Sequence, residues 1–143
     1  MRRSIQKGVA IVEFALILPM LLVMSFMTTE FGRALYQYNS IMKTVRDAAR
    51  YLSTQTPGTH QAEAQNLIVY GNLAGTGNPV APGLSATNVP PPVWEAQGTG
   101  PVINTVTVRV TGYSFQSIFS SAFGHTFGTI PYSDITATMR SHL

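Results

Sequence analysis

The sequence predicts an α+β fold, in which a long amino-terminal helix and a short second helix precede a small antiparallel sheet. Three observations lead to this prediction. The chain has an apolar run over residues 9–29, and apolar residues then recur at helical spacing as far as Leu52. In the last third, valine alternates with threonine, the pattern of a half-buried strand. Helices first and strands later give a ladle-like arrangement, with the long helix as the handle.

The apolar run over residues 9–29 has the length of a membrane-spanning helix, because about 20 apolar residues cross a hydrocarbon core. Pro19 removes a helical hydrogen bond and predicts a local kink, which neighbouring helices can compensate in a membrane. A cleaved secretory signal has a shorter apolar region of about 7–15 residues, and Ser25-Phe26-Met27 offers no good cleavage site. The run is therefore predicted to be a transmembrane helix.

Glu13 is the only charged side chain in this run, and its position needs a physical reason. An acidic residue at mid-bilayer costs about 2.5–3.5 kcal/mol. Glu13, about one turn inside the apolar boundary, still carries a penalty unless a cation pairs with it. An ordinary uncleaved signal anchor leaves this carboxylate unexplained. The obvious partner is a free amino terminus, created by cleavage ahead of the run.

The residues before the run resemble the leader of type IV prepilins. Arg2, Arg3 and Lys7 make this segment basic, Gly8 ends it, and Glu13 is the fifth residue after that glycine. A membrane aspartyl peptidase, the prepilin peptidase, cuts such leaders after the glycine.

This resemblance has consequences for the amino-terminal region. It implies that residues 1–8 are a leader, that the peptidase cuts between Gly8 and Val9, and that Glu13 with the adjacent Phe14 sets the register of assembly. The short leader argues for an amino terminus inside the cytoplasm and a carboxyl terminus outside it.

The helical pattern continues past the membrane as an amphipathic extension over residues 30–53. Its apolar side chains recur at spacings of three and four, and we call them the packing stripe: Phe31, Leu35, Tyr38, Met42, Val45, Ala49 and Leu52. Gln37 and Asp47 fall away from the stripe, and Asp47 can reach Arg50 at i+3. The stripe has two interpretations that can hold on different faces, packing on the chain's own sheet or packing against sister helices in a filament.

Residues 54–143 are predicted to form a small domain outside the membrane. Pro57-Gly58 ends the long helix. A narrow apolar face predicts a short second helix over residues 60–70, and a composition rich in glycine and proline predicts a loop over residues 71–92.

Three strands are predicted after this loop, over residues 93–96, 102–111 and 132–140. The last two alternate apolar and polar residues most clearly, so one face of each should be buried and the other wet. They should pair in an antiparallel sheet.

A phenylalanine-rich connection separates the last two strands. Phe115, Phe119, Phe123 and Phe127 recur every four residues, which predicts a short helix as far as Gly124. This connection either covers the core or forms an exposed patch that touches a neighbouring subunit or the membrane surface.

The composition argues against a nucleic-acid-binding protein and against an enzyme. Three of the nine basic residues lie in the first eight positions, and the rest of the chain balances six basic with six acidic side chains, so no basic face for phosphate contacts is expected. Without cysteine there is no thiol catalysis or Cys-type zinc site. His60, His125 and His142 lie in no paired-ligand motif, and the acids are scattered singly. We therefore expect no catalytic residue, metal site or cofactor, and a function in binding and assembly.

The first 52 residues resemble the TadE-like family of pseudopilins, minor pilin-like components of tight-adherence (Tad, or Flp) secretion systems. The matching elements are Gly8, Glu13-Phe14-Ala15, Pro19, the turn Glu30-Phe31-Gly32 and the run Val45-Arg46-Asp47-Ala48-Ala49-Arg50. Major Flp pilins carry glutamate-tyrosine in place of Glu13-Phe14 and are much shorter, so the resemblance favours a minor subunit. The related TadF and TadG proteins share the anchor pattern, and the paralogue stays open.

The resemblance implies a single-pass protein of the bacterial inner membrane, with residues 54–143 outside the cytoplasm, that takes part in assembly of a type IVb pilus. The implied partners are the prepilin peptidase, other pilins and pseudopilins (Flp, TadF-like and TadG-like proteins), the pilus assembly platform and membrane lipid, but no nucleic acid. A second function stays open, that of an uncleaved membrane-tethered adaptor that binds envelope partners through its outer domain and never enters a filament.

Overall fold

The computed structural model describes residues 5–118, 121–122, 125–126 and 129–142. Helix α1 spans Ile5–Leu52, helix α2 spans Gln61–Tyr70, and a 3-10 helix follows at Ala86–Asn88. The strands are β1 Val93–Gln97, β2 Ile103–Val110, β3 Ser114–Phe115, β4 Ser121–Ala122, β5 His125–Thr126, β6 Ile130–Pro131 and β7 Ile135–Arg140. The predicted α+β class, with one long helix, one short helix and a small antiparallel sheet, is confirmed.

The chain divides into two compact units, and helix α1 contributes to both. The first, here called the anchor unit, is Met1–Leu35, and the second, the folded unit, is Tyr36–Leu143. The amphipathic extension predicted over residues 30–53 is thus shared between the units.

At the carboxyl-terminal end of helix α1, side-chain hydroxyl groups donate hydrogen bonds to backbone carbonyls of the last turn. Ser53 Oγ donates to the carbonyl of Arg50 at 2.8 Å, and Thr54 Oγ1 donates to the carbonyl of Tyr51 at 2.9 Å. The first bond satisfies a carbonyl group that the end of a helix otherwise leaves unpaired, and the second adds to the bond that the N–H of Thr54 donates to the same carbonyl at 3.3 Å. The cationic side chain of Arg50 also lies near the negative end of the helix dipole, which further stabilises this terminus.

Helix α2 is flanked by two residues in the left-handed conformation. His60 precedes it with a φ of 55°, and its Nδ1 lies 3.3 Å from Oε1 of Glu63. A hydrogen bond from the Glu63 backbone, helped by the neighbouring His60, lowers the pKa of the Glu63 carboxyl. Gly71 follows the helix with a φ of 73°, and its N–H donates to the carbonyl of Leu67 at 3.0 Å. Glycine adopts this conformation without a side-chain clash, so it suits a helix end.

Strands β1, β2 and β7 form an antiparallel sheet with β2 in the centre. On the buried face, Val106 of β2 lies opposite Trp94 of β1 and Met139 of β7. On the other face, Thr107 lies opposite Thr138, and their hydroxyl oxygens are 2.8 Å apart. Because successive side chains of a strand point to opposite faces, the alternation in the sequence sets which face is buried.

The described parts of the phenylalanine-rich connection do not form the predicted helix. Its described parts are short strands, in which β3 pairs with β6 and β4 pairs with β5. Phe119, Phe123, Gly124 and Phe127 lie outside the described residues. The prediction from spacing failed because pairing between strands of the connection satisfies their backbone hydrogen bonds. A four-residue repeat in the sequence carries no information about which distant strand will be the partner.

Burial in this connection is divided between its described residues. Phe115 is buried, whereas Ile118 and Ile130 are exposed. One aromatic side chain therefore joins the interior of the folded unit, and two apolar side chains remain at the surface.

The core of the folded unit lies between α1, α2, the following loop and the sheet. Its buried side chains are Ile41, Val45, Ala48, Ala49 and Leu52 from α1, Ala64, Ile68 and Val69 from α2, Ala81, Leu84 and Val89 from the loop, Val106, Val108, Val110 and Ile135 from the sheet, and Tyr113. Removing such apolar side chains from water, at roughly 25 cal/mol per Å², is the main force that holds helix and sheet together.

The segment predicted as a loop, residues 71–92, contributes to the fold more than its composition suggests. It places Ala81 and Leu84 in the core and ends with the 3-10 helix. The N–H of Thr111 donates to the carbonyl of Asn88 at 2.8 Å, and Nδ2 of Asn88 donates to the carbonyl of Thr111 at 3.2 Å. This two-way hydrogen bonding joins the loop to the end of β2.

Candidate functional site

Helix α1 carries an extended exposed apolar surface. Among the described residues, its part Gly8–Leu52 is the one helix long and apolar enough to cross a membrane, as judged by length and composition. The large apolar side chains exposed on its first half include Val9, Ile11, Val12, Phe14, Leu16, Ile17, Met20, Leu21, Met24 and Met27. A contiguous apolar surface of this kind needs lipid or protein to cover it. The helix therefore indicates a membrane anchor.

The predicted cleavage bond, between Gly8 and Val9, lies near the start of α1. Both residues are exposed, and a Cβ atom added at Gly8 would meet no atom within 4 Å. No side chain in the described part of the chain covers this peptide bond, so another molecule can reach it.

Glu13 lies on the exposed surface of α1 together with Phe14. The two ion pairs found among the described residues both use other carboxylates, so Glu13 has no ionic partner within this part of the chain. In an apolar environment the carboxylate would be costly unless a second molecule supplied a cation.

The packing stripe differs in burial along the helix. Its members run from burial to exposure in the order Val45, Ala49 and Leu52 (0% exposed), Tyr38 and Met42 (partly buried), Leu35 (48% exposed) and Phe31 (66% exposed). The carboxyl-terminal members pack in the core of the folded unit. Phe31 and Leu35, in the anchor unit, remain available to a neighbouring molecule.

The predicted ion pair between Asp47 and Arg50 is not formed. Neither residue takes part in the ion pairs of the described residues, and both side chains are exposed. An exposed pair of this kind contributes only a few tenths of a kcal/mol, too little to hold two long side chains together. The i,i+3 pair observed on α1 instead joins Arg33 to Glu30.

A buried polar cluster, which the sequence analysis missed, joins α1 to the segment after β2. The hydroxyl of Tyr113 lies 3.0 Å from Oε1 of Gln37 and 2.9 Å from the carbonyl oxygen of Pro82. Gln37 was predicted to lie away from the packing stripe, yet it is only 7% exposed because Tyr113 reaches over it. No local pattern marks this glutamine, since its partner is 76 residues away.

An aromatic cluster extends this contact. The ring of Tyr132 lies 5.5 Å from that of Tyr113 and 5.7 Å from that of Tyr38, the latter in an edge-to-face arrangement. Burial raises the pKa of Tyr113, with a further contribution from the nearby Tyr132, and burial also raises the pKa of Tyr132. Both hydroxyls therefore stay protonated through the physiological pH range.

We expect Tyr113→Phe to destabilise the folded unit by about 1–3 kcal/mol, because Gln37 and the carbonyl of Pro82 would lose a buried hydrogen-bonding partner. The raised pKa predicts a pH dependence as well. The stabilisation by the tyrosine proton is complete below the unfolded pKa of about 10 and is lost as the pH rises through the higher folded pKa. The wild type should therefore lose stability more steeply than the variant above about pH 10.

Thermal unfolding of the full chain in detergent, followed by circular dichroism from about pH 8 to 11, measures both effects. Tyr36→Phe is the matched control, since Tyr36 is 72% exposed and its hydroxyl should matter little. Equal alkaline slopes in the wild type and Tyr113→Phe would contradict the assignment.

The described residues offer little for small-ligand chemistry. They contain no group of three His, Asp or Glu side chains that could hold a metal ion. A shallow groove of about 430 Å³ lies beside α1 and is lined by Tyr38, Asn39, Met42, Lys43, Arg46 and Asp47. Its two cations and one carboxylate are exposed surface groups without a general acid–base pair.

The exposed apolar helix, together with the α+β folded unit, indicates the class of membrane-anchored proteins. Residues 8–50 match the model of a protein family described as TadE-like protein, which confirms the resemblance seen in the sequence. The match covers Gly8, Glu13 and the packing stripe as far as Ala49. No curated protein and no solved structure matches the chain. This match indicates a component related to Tad pili, and the matched family is a structural component of pili with no known enzymatic activity.

Proposed function

We propose that this protein is a minor pilin-like subunit, a pseudopilin, for assembly of a Tad (Flp) pilus of the type IVb class, and that the prepilin peptidase cleaves it after Gly8. One observation supports the proposal above all others. The exposed apolar run of α1 follows a basic leader and Gly8, lies within the segment that matches the TadE-like family, and contains a single carboxylate, Glu13.

Cleavage would give Glu13 the partner that the described chain lacks. Cutting after Gly8 creates a new amine on Val9, and Glu13 becomes the fifth residue of the mature chain. When apolar helices of neighbouring subunits pack together, each amine and each carboxylate is costly alone, and pairing between subunits offsets that cost. The pair would fix the axial register of the subunits, with Phe14 packing beside it.

The proposed location is the bacterial inner membrane, with the leader in the cytoplasm and the folded unit outside. The short leader supports this orientation. Charge counting does not decide it, because Arg33, Lys43 and Arg46 follow the apolar run much as Arg2, Arg3 and Lys7 precede it. Proposed partners are the peptidase, other pilins and pseudopilins, the assembly platform and membrane lipid. The exposed Phe31 and Leu35 offer apolar contacts to a sister helix.

We expect the mature chain to begin at Val9. Intact mass or amino-terminal sequencing of protein from cells that contain the peptidase measures this directly. Gly8→Val should block cleavage, because a branched side chain would replace the small residue at the cut, whereas Gly32→Val, at the other glycine of α1, should be cut normally. A product that retains Met1 or Arg2 in these cells would contradict the prepilin assignment.

The alternative function is an uncleaved membrane-anchored adaptor that binds envelope partners through its outer domain. The compact folded unit fits this alternative as well as it fits the pseudopilin. Purified pili distinguish the two, since a minor subunit should be present in traces and an adaptor should be absent.

A further inference from the structure

The stretch of α1 that follows the apolar run contains a glycine with no steric role in the described chain. Gly32 lies inside the helix, and a Cβ atom added there would meet no atom within 4 Å. Alanine would therefore fit. Since glycine is the least favourable residue for a helix interior after proline, its presence makes this turn easier to open.

Two threonines one turn earlier weaken the same stretch in a second way. Thr28 Oγ1 donates to the carbonyl of Met24 at 2.9 Å, and Thr29 Oγ1 donates to the carbonyl of Ser25 at 3.0 Å. A hydroxyl bonded four residues back competes with the helical N–H for that carbonyl, and such bonds often bend helices.

Apart from the ion pair between Glu30 and Arg33, whose side chains are partly buried, little tertiary packing holds this stretch straight. Met27 and Phe31, on either side of the threonines, are both largely exposed. The division between the two compact units falls at Leu35 and Tyr36, just beyond Gly32. The hydrogen bonds of a helix open at the lowest free energy where the helix has few buried contacts. We therefore expect α1 to open or bend first in this stretch.

We infer that residues 28–32 form a hinge in α1, at which the helix bends while the segments on both sides stay helical. The hinge itself is a property of this chain, independent of processing. Its use rests on the proposed function, because a subunit whose anchor is held by lipid or sister helices could then adapt the direction of the following residues to different neighbours.

Paired spin labels test the hinge in the full chain. The protein has no cysteine, so Leu21→Cys and Asn39→Cys can be labelled selectively, and both side chains are exposed. In a straight helix these positions are about 27 Å apart. In phosphatidylcholine nanodiscs the wild-type background should give a broad distance distribution that extends below this value, and Gly32→Ala should narrow it around the straight-helix value. Hydrogen exchange of the amides around Gly32 should slow by about fivefold in Gly32→Ala.

Met27→Ala is the matched control, because it adds an alanine to the same stretch without removing the glycine. It should leave the distribution as broad as in the wild type. A narrow distribution in the wild type would overturn the hinge. An unchanged distribution in Gly32→Ala, combined with poorer recovery in pili, would also overturn it and assign Gly32 to close packing between helices. The measurement uses one purified protein, so failure of cleavage after Gly8 would disprove the proposed function without changing the result for the hinge.

Discussion

Val45→Asp is expected to unfold the Tyr36–Leu143 unit. Val45 is 0% exposed and belongs to the same core as Val106 and Ile68. A carboxylate placed there has no counter-charge among the core side chains, which are almost all aliphatic. Stranding a charge in such a site costs about 3–5 kcal/mol or more. Small domains have a total stability of roughly 5–15 kcal/mol, so this single change removes most of the stability if the unit lies near the lower end of that range.

Urea unfolding of residues 30–143, followed by circular dichroism, measures this loss. Asn39→Asp is the matched control, since it adds the same charge to an exposed position of α1 and should change the stability by less than about 0.5 kcal/mol. The parent fragment should be monomeric and ordered. If Val45→Asp unfolds at the same urea concentration as the parent, the stripe faces outward in solution, and packing against sister helices becomes the better interpretation.

Glu13→Gln is expected to abolish recovery of this protein in pili while leaving its processing intact. The substitution keeps the size of the side chain but removes the charge that should pair with the amine of a neighbouring subunit. Breaking a buried ion pair costs about 3–5 kcal/mol, so co-purification with other pilins should fall by about a hundredfold or more. Cleavage after Gly8 should persist, because in the proposed function the peptidase would recognise the leader and the glycine and not Glu13. Membrane insertion should become easier without the charge.

Glu30→Gln provides the control for this experiment. Glu30 is the other carboxylate of the anchor unit, and it already bonds to Arg33 within its own helix. Its loss should affect co-purification far less than the loss of Glu13. Normal pilus assembly by Glu13→Gln would show that the register pairing is wrong, and the adaptor would become the better assignment.

Much of the fold follows from local periodicity. The apolar run and the packing stripe predict α1 almost to its last residue, because a helix places every third or fourth side chain on one face. Strand β2 is predicted equally well, because Val106, Val108 and Val110 alternate with polar residues. The candidate site was also readable in advance, since a carboxylate in an apolar run is anomalous wherever the chain folds.

Long-range pairing accounts for what the sequence analysis missed. The four-residue repeat of phenylalanines predicted a helix, yet β3 pairs with β6, whose residues are distant in the sequence. The outward placement of Gln37 failed for the same reason, since the hydroxyl that buries it belongs to Tyr113. Both errors concern a residue or strand whose partner is distant in the sequence and is brought near only by the tertiary fold.

The amino-acid sequence by itself determined the apolar run, the lone carboxylate of that run, the carboxyl-terminal end of α1 and the buried face of the sheet, because these depend on side-chain polarity at spacings of two to four residues. Only the tertiary structure decided how far the packing stripe is buried, which of its residues stay exposed, and that the glycine- and proline-rich segment supplies core residues. Those outcomes depend on which distant surfaces meet, and burial releases free energy only where two apolar surfaces come together.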